Sequence, residues 1–137
     1  MNSSEHEDWV EWPAVGASMG RRWRTVGTLL VRPAGMDAIR WGDVVVAGIG
    51  DRRVAHRAVR RIVMKNGEPG WITKGDGSVF PDRWVIDGTS IQGIVEAVRH
   101  RDGAVIILRR RYGLLPVVTG WMLSWLWRPV EANQASA

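Results

Sequence analysis

The chain has 137 residues, 45% apolar and 24% charged, which predicts a single compact domain. It contains no cysteine, so thiol nucleophiles, disulfide bonds and cysteine-ligated metals are excluded. The formal net charge of +5 comes mostly from arginines scattered along the chain without a helix-turn-helix, zinc-finger or RNP-type pattern. We therefore expect no nucleic-acid partner, and a basic surface that would suit an acidic peptide or an anionic membrane.

Residues 1–12 are polar and lack the apolar core of a secretory signal, so we expect a flexible N-terminal tail there. From residue 13 to residue 111, short runs rich in β-branched residues alternate with Gly, Pro and Asp, which is typical of strands and turns. The predicted strands are 28–31, 44–47, 59–64, 84–86, 91–98 and 104–108, with a hairpin turn at 101–103. The sequence thus predicts a mainly β domain.

The C-terminal part has a different composition. Residues 113–127 carry no charge, are rich in tryptophan and are flanked by arginines, so we expect an apolar, helical segment over 112–130 followed by a flexible tail at 131–137. A membrane span needs about 20 apolar residues, and Pro116 and Gly120 weaken a continuous helix. Three placements stay open: a span, an interfacial helix and a helix packed on the core. We expect a cytoplasmic protein that can contact a membrane through 113–127.

A serine that follows a small-residue segment, Ser18 in GASM, raises the question of nucleophilic chemistry. A serine hydroxyl needs a neighbouring base to act as a nucleophile. Among the three histidines only His56 is flanked by apolar strand residues, and an imidazole exchanges protons near neutral pH. Lys65 and Lys74 remain alternative bases. No pair of residues shows a familiar metal-ligand spacing, so we expect neither a metal nor another cofactor.

Four segments, taken in order, resemble the motifs of a known family: GASM at 16–19, WGDVVVA at 41–47, AHRAV at 55–59 and TKGD at 73–76. They are similar to the boxes of type I signal peptidases. The resemblance is to the endoplasmic-reticulum and archaeal branch, in which histidine replaces the lysine base of the bacterial enzymes and of LexA-type self-cleaving repressors. The resemblance implies a signal-peptidase/LexA-like β domain over 13–111 and a serine endopeptidase that cleaves a peptide or protein precursor.

The resemblance also assigns roles to individual residues. It implies that Ser18 is the nucleophile and His56 the general base, with Asp82 as the first choice for orienting His56 and Asp76 as the second. The backbone N–H groups of Ser18 and Met19 would meet the oxyanion. Two small residues, Gly16 and Ala17, would leave room for an extended substrate in the groove. Arg57 would pair with a carboxylate, because a guanidinium does not act as a base.

Two other classes of function stay open. Arg21 stands where the family carries proline, so the loop after the serine is altered, and an inactive relative that binds peptides or proteins is one alternative. A self-cleaving regulator is another, which would work with a DNA-binding partner domain. The sequence makes no prediction of the oligomeric state.

Overall fold

The computed structural model describes residues 8–14, 19–108, 114–126 and 130–131. The strands are β1 (Val10–Pro13), β2 (Val26–Pro33), β3 (Val44–Ile49), β4 (Arg52–Val63), β5 (Pro69–Lys74), β6 (Trp84–Ile86), β7 (Ile91–His100), β8 (Val105–Ile107) and β9 (Val130–Glu131), and the helix is α1 (Leu114–Ser124). The predictions of a mainly β fold and of a C-terminal helix are confirmed.

All nine strands belong to one curled sheet. Its order is β1-β2-β7-β3-β4-β5-β6-β9, and β8 pairs with β7 beyond the end of β3. Neighbouring strands are antiparallel except for the parallel pair β6 and β9. The long strand β7 therefore joins the N-terminal strands to the β3–β4–β5 region, in which the candidate site lies.

The central strand β3 is buried on both faces, and this places the core on both sides of the sheet. Val44 and Val46 belong to one apolar cluster, with Met19 and Leu29 among its members. Val45 and Ala47 point the other way, into a cluster that includes Trp71. The uninterrupted run of β-branched residues in β3 suits such a strand, because each side chain meets apolar neighbours whichever face it occupies.

The structure corrects several predicted boundaries. Val10–Pro13 form the edge strand β1, paired with β2, so residues 10–12 are not a flexible tail. Strand β5 was not predicted, and β4 begins seven residues earlier than the predicted strand at 59. Glu131, predicted to lie in the C-terminal tail, pairs with Val85 through β9. The predicted hairpin turn is present, with Gly103 at φ 93°.

Helix α1 packs against β4 and β5 rather than standing away from the sheet. Gly120 makes this close approach possible, because a Cβ there would lie 2.8 Å from Val59 Cγ1 and 3.0 Å from Lys74 Cδ. At the other end, Arg60 donates a hydrogen bond of 3.0 Å to the Ser124 carbonyl, which satisfies one of the last carbonyls of the helix. Within the described residues, no helix is long and apolar enough to cross a membrane.

Candidate functional site

The clearest constellation of polar groups joins the middle of β4 to the end of β5. His56 Nδ1 and Asp82 Oδ2 are 2.5 Å apart, and the side chains of His56 and Asp82 are only 7% and 8% exposed. Thr73 Oγ1 donates to the same carboxylate oxygen at 2.7 Å, and the Asp82 N–H donates to the Thr73 carbonyl at 2.8 Å. A carboxylate only accepts, so Nδ1 carries the proton, and Nε2 is the ring nitrogen that can take a proton from a hydroxyl.

The strand register explains why these groups meet. His56 lies opposite Val45 in the central part of the sheet, and Thr73 is on β5, the next strand along. The segment from Gly75 to Arg83 leaves β5 and returns to β6, and Asp82 lies near the end of this segment. Trp84 opens β6 and stacks on the imidazole, with ring centroids 6.2 Å apart and an interplanar angle of 21°. The indole thus limits rotation of the ring and keeps water from that face.

A second buried pair lies one residue further along β4. Arg57 Nε donates to Asp76 Oδ1 at 2.8 Å and its NH2 donates to Oδ2 at 2.6 Å, which is the bidentate geometry of a guanidinium on a carboxylate. The third nitrogen, NH1, donates to the Gly42 carbonyl at 2.9 Å. The two side chains are 3% and 8% exposed. Such a pair fixes the position of Asp76 against β4.

The loop that follows the candidate nucleophile is held against this pair. Met19 is buried, and its Sδ accepts a hydrogen bond of 3.4 Å from the Asp76 N–H. Trp23 Nε1 donates to Asp76 Oδ2 at 3.3 Å. Gly20 has φ 80°, and a Cβ there would lie 3.0 Å from the Gly77 Cα, so only glycine allows the two loops to touch.

Asp76 therefore connects the two segments that carry the predicted nucleophile and base. On one side it contacts Met19, the residue after Ser18, and on the other it pairs with Arg57, the residue after His56. The predicted residues Gly16, Ala17 and Ser18 themselves lie outside the described residues. The described contacts fix the chain immediately after the serine against Arg57, the neighbour of His56 in β4, whose side chain points to the other face of the strand.

Lys74 is a buried amine within the same region. It is 4% exposed, and its Nζ donates to the Gly75 carbonyl at 3.1 Å. Burial lowers the pKa of Lys74 below its ordinary value, although the carboxylates of Asp76 and Asp82 act in the opposite direction. Lys74 thus remains an alternative base.

Several residue predictions can now be compared with this geometry. Asp82, the first choice as the partner of His56, contacts the imidazole, and its role in catalysis stays a prediction. Asp76, the second choice, pairs with Arg57 through both of its oxygens, and its role as a histidine partner stays a prediction. The pairing of Arg57 with a carboxylate is confirmed. The oxyanion role of the Ser18 and Met19 amides stays a prediction.

The sequence analysis missed two members of the site. Thr73 was taken only as part of the TKGD segment, yet it fixes the Asp82 carboxylate. Successive side chains of a strand point to opposite faces. The position of Thr73 directly before Lys74 was therefore the signal that their side chains lie on opposite faces of β5. Trp84 opens a short strand, and no pattern in the sequence indicates that its indole stacks on His56. Among the described residues, no group of His, Asp or Glu could hold a metal ion.

Comparisons with known proteins add no family assignment. No family model matches the chain, and no curated protein or solved structure matches it. The functional argument therefore depends on the motifs of the sequence and on the contacts described above.

Proposed function

We propose that the protein is a serine endopeptidase of the signal-peptidase-like type, with Ser18 as the nucleophile and His56 as the general base. The observation that supports the proposal most directly is the buried hydrogen-bonded series Thr73–Asp82–His56. A buried carboxylate that is itself held by a hydroxyl orients an imidazole and stabilises the imidazolium formed during acyl transfer. The contacts of Asp76 with Met19 and Arg57 support placing the Ser18 loop beside this series.

In the proposed mechanism, Ser18 Oγ attacks a peptide carbonyl carbon while His56 Nε2 takes the hydroxyl proton. The resulting oxyanion accepts hydrogen bonds from the backbone amides of Ser18 and Met19. Collapse of the tetrahedral intermediate breaks the C–N bond, and His56 gives its proton to the leaving amine. Water then attacks the acyl-enzyme, with His56 again taking and returning a proton, and the free carboxyl product leaves. The Asp82 carboxylate balances the charge of the imidazolium.

The reaction class is tested by covalent labelling of the purified protein with a fluorophosphonate, which reacts with activated serine hydroxyls. We expect wild type to gain one probe mass on Ser18 and the Ser18→Ala variant to gain none, because an ordinary serine lacks the activation that the reaction needs. The matched control is Ser78→Ala, which removes a hydroxyl only two residues from Asp76 and should leave labelling unchanged. Wild type that stays unlabelled while binding peptides would instead favour an inactive peptide-binding relative.

We also propose that the exposed side of α1 lies on an anionic membrane surface. Gly120 and Ser124 face the sheet, whereas Trp121, Met122, Trp125 and Leu126 are 43%, 59%, 63% and 84% exposed. Arg60 lies 4.0 Å from the centre of the Trp125 ring, and Arg61 follows it on β4. Large apolar side chains beside arginines suit the boundary between acyl chains and anionic headgroups.

Co-sedimentation with vesicles of phosphatidylglycerol and phosphatidylcholine tests this surface. We expect Met122→Gln/Leu126→Gln to lower the bound fraction at least about tenfold, because the apolar area that enters the interface is lost. Val79→Gln/Val105→Gln changes two exposed apolar residues outside the segment 114–126 and is the control, which should bind like wild type. Equal loss in both variants, or no binding by wild type, would contradict the placement.

A further inference from the structure

A groove of about 690 Å³ lies between the segment after Ser18, strand β2 and the start of β4. Met19 and Ala55 line it, and these residues follow Ser18 and precede His56 in the chain. The groove is therefore lined by one chain neighbour of each residue of the proposed catalytic pair. Its volume is within the range of pockets that bind small ligands or a few residues of a peptide.

The floor of the groove is apolar. Met19, Val26 and Leu29 line it and are themselves buried members of one core cluster. Val54 and Ala55 continue this lining along the first half of β4. Such a floor suits the small or apolar side chains of an extended peptide and offers few polar partners for a free ion.

The rim has the opposite character, because five arginines from three separate segments converge on it. Two follow the Ser18 loop, two start β4 after its turn with β3, and one lies in the turn between β7 and β8: Arg21, Arg24, Arg52, Arg53 and Arg101. All five are exposed. Arg53 lies 4.3 Å from the centre of the Trp12 ring, which holds its guanidinium at the groove.

The charge of this rim is not neutralised within the part of the chain that the structure describes. No aspartate or glutamate there lines the groove, and the ion pairs of the described residues involve none of the five arginines. Like charges brought together in this way repel, and an anionic ligand relieves that repulsion while gaining charge-assisted hydrogen bonds.

We infer that this groove binds the substrate and selects extended peptide segments in which acidic side chains alternate with small apolar ones. That the bound peptide is a substrate rests on the proposed endopeptidase function, whereas the binding preference can be measured without cleavage. Alternation is expected because successive side chains of an extended strand point to opposite sides, so one set can reach the apolar floor while the other meets the guanidinium groups. Arginine suits this role because its planar fork binds a carboxylate through two hydrogen bonds.

The binding test uses the Ser18→Ala chain and a fluorescein-labelled peptide of about ten residues that alternates glutamate with alanine, followed by fluorescence anisotropy. We expect the glutamate peptide to bind at least about tenfold more tightly than the peptide with glutamine at the same positions, and the difference to shrink as salt screens the charges. Equal affinity for the two peptides overturns the inference.

Variants show whether the preference for the glutamate peptide comes from the groove or from the overall charge of the protein. Arg52→Glu/Arg53→Glu should lose at least about tenfold in affinity for the glutamate peptide. Arg40→Glu/Arg61→Glu makes the same change in net charge at exposed arginines outside the groove and should keep most of the affinity. Equal loss in the two double variants overturns the inference. A competition experiment also tests the inference, with an unlabelled single-stranded oligonucleotide or unlabelled peptide displacing the labelled peptide. If the oligonucleotide displaces it more effectively, the groove binds nucleic acid and the inference is overturned.

Cleavage by wild type separates this inference from the proposed function. Preferential cleavage of the glutamate peptide supports both. Preferential binding without cleavage or labelling supports the groove and contradicts the endopeptidase. Cleavage of both peptides at equal rates supports the endopeptidase and overturns the groove inference.

Discussion

His56→Ala is expected to lower kcat for peptide hydrolysis by at least about 10⁴-fold, since the proton of the serine hydroxyl would have no acceptor. KM should change little, because the imidazole contributes little to the binding of an extended peptide. The measurement is the steady-state rate on the best-cleaved peptide. His100→Ala is the matched control: that histidine lies at the end of β7, where its Nδ1 contacts Thr25 Oγ1 at 2.8 Å. Its rate should stay within about twofold of wild type.

Asp82→Asn tests whether the carboxylate acts through the imidazole. An amide at this position can donate to Nδ1, which favours the tautomer that already carries its proton on Nε2. We expect kcat to fall by about 10³-fold to 10⁴-fold while the protein stays folded, because the change is nearly isosteric. A loss of less than about tenfold would mean that Asp82 has only a structural role.

Lys74→Met distinguishes the two candidate bases. The lowered pKa of the buried lysine would make an amine base available, so a lysine mechanism predicts that Lys74→Met abolishes turnover while His56→Ala retains it. The arrangement of the site favours the opposite result. Lys74 Nζ donates to the neighbouring Gly75 carbonyl, whereas the histidine is oriented by a buried carboxylate. Activity that depends on Lys74 and survives loss of His56 would refute the proposed mechanism.

The sequence predicted the central strands of the sheet better than the strands that begin with turn-forming residues. The run VVVA gave β3 directly, because four β-branched or small apolar residues in succession suit a strand buried on both faces. Strand β5, PGWITK, was missed because Pro and Gly at its start indicate a turn, although here they begin a strand whose Gly70 is covered by Val85. Local patterns therefore identified the central strands and failed where turn-forming residues enter the sheet.

Contacts between residues distant in the chain could not be predicted from local patterns. The likeness of four short motifs to a known family suggested that Asp82 would orient His56, and no spacing rule would have selected it over Asp76. The rim of the groove is a second example of contacts that the sequence did not predict. Its arginines come from positions 21, 24, 52, 53 and 101, and in the sequence they look like a scattered, solvated surface. Only the turns of the folded sheet bring these charges together.

Arg57→Ala is expected to lower the free energy of unfolding by about 3 to 5 kcal/mol, because it leaves the Asp76 carboxylate buried without its cation. The measurement is urea unfolding followed by tryptophan fluorescence. Arg32→Ala is the control, since Arg32 forms an ion pair of similar length with Glu96 but the two side chains are 43% and 30% exposed. An exposed pair of this kind contributes about 1 kcal/mol or less. Equal losses in the free energy of unfolding for the two variants would show that burial does not increase the contribution of the Arg57 pair to stability.

The double variant Arg57→Ala/Asp76→Ala measures how much of the lost unfolding free energy comes from leaving one charge unpaired. With both charges removed, no unpaired ion stays in the core, so the double variant should be more stable than the sum of the two single changes predicts, by about 1 to 3 kcal/mol. Activity should not recover with stability. Trp23 Nε1 donates to the Asp76 carboxylate, so the double variant loses this contact with the segment after Ser18 even when the core tolerates the change, whereas the contact of Met19 with the Asp76 backbone N–H is kept. A double variant that regains full peptidase activity would show that this anchor does not position the nucleophile.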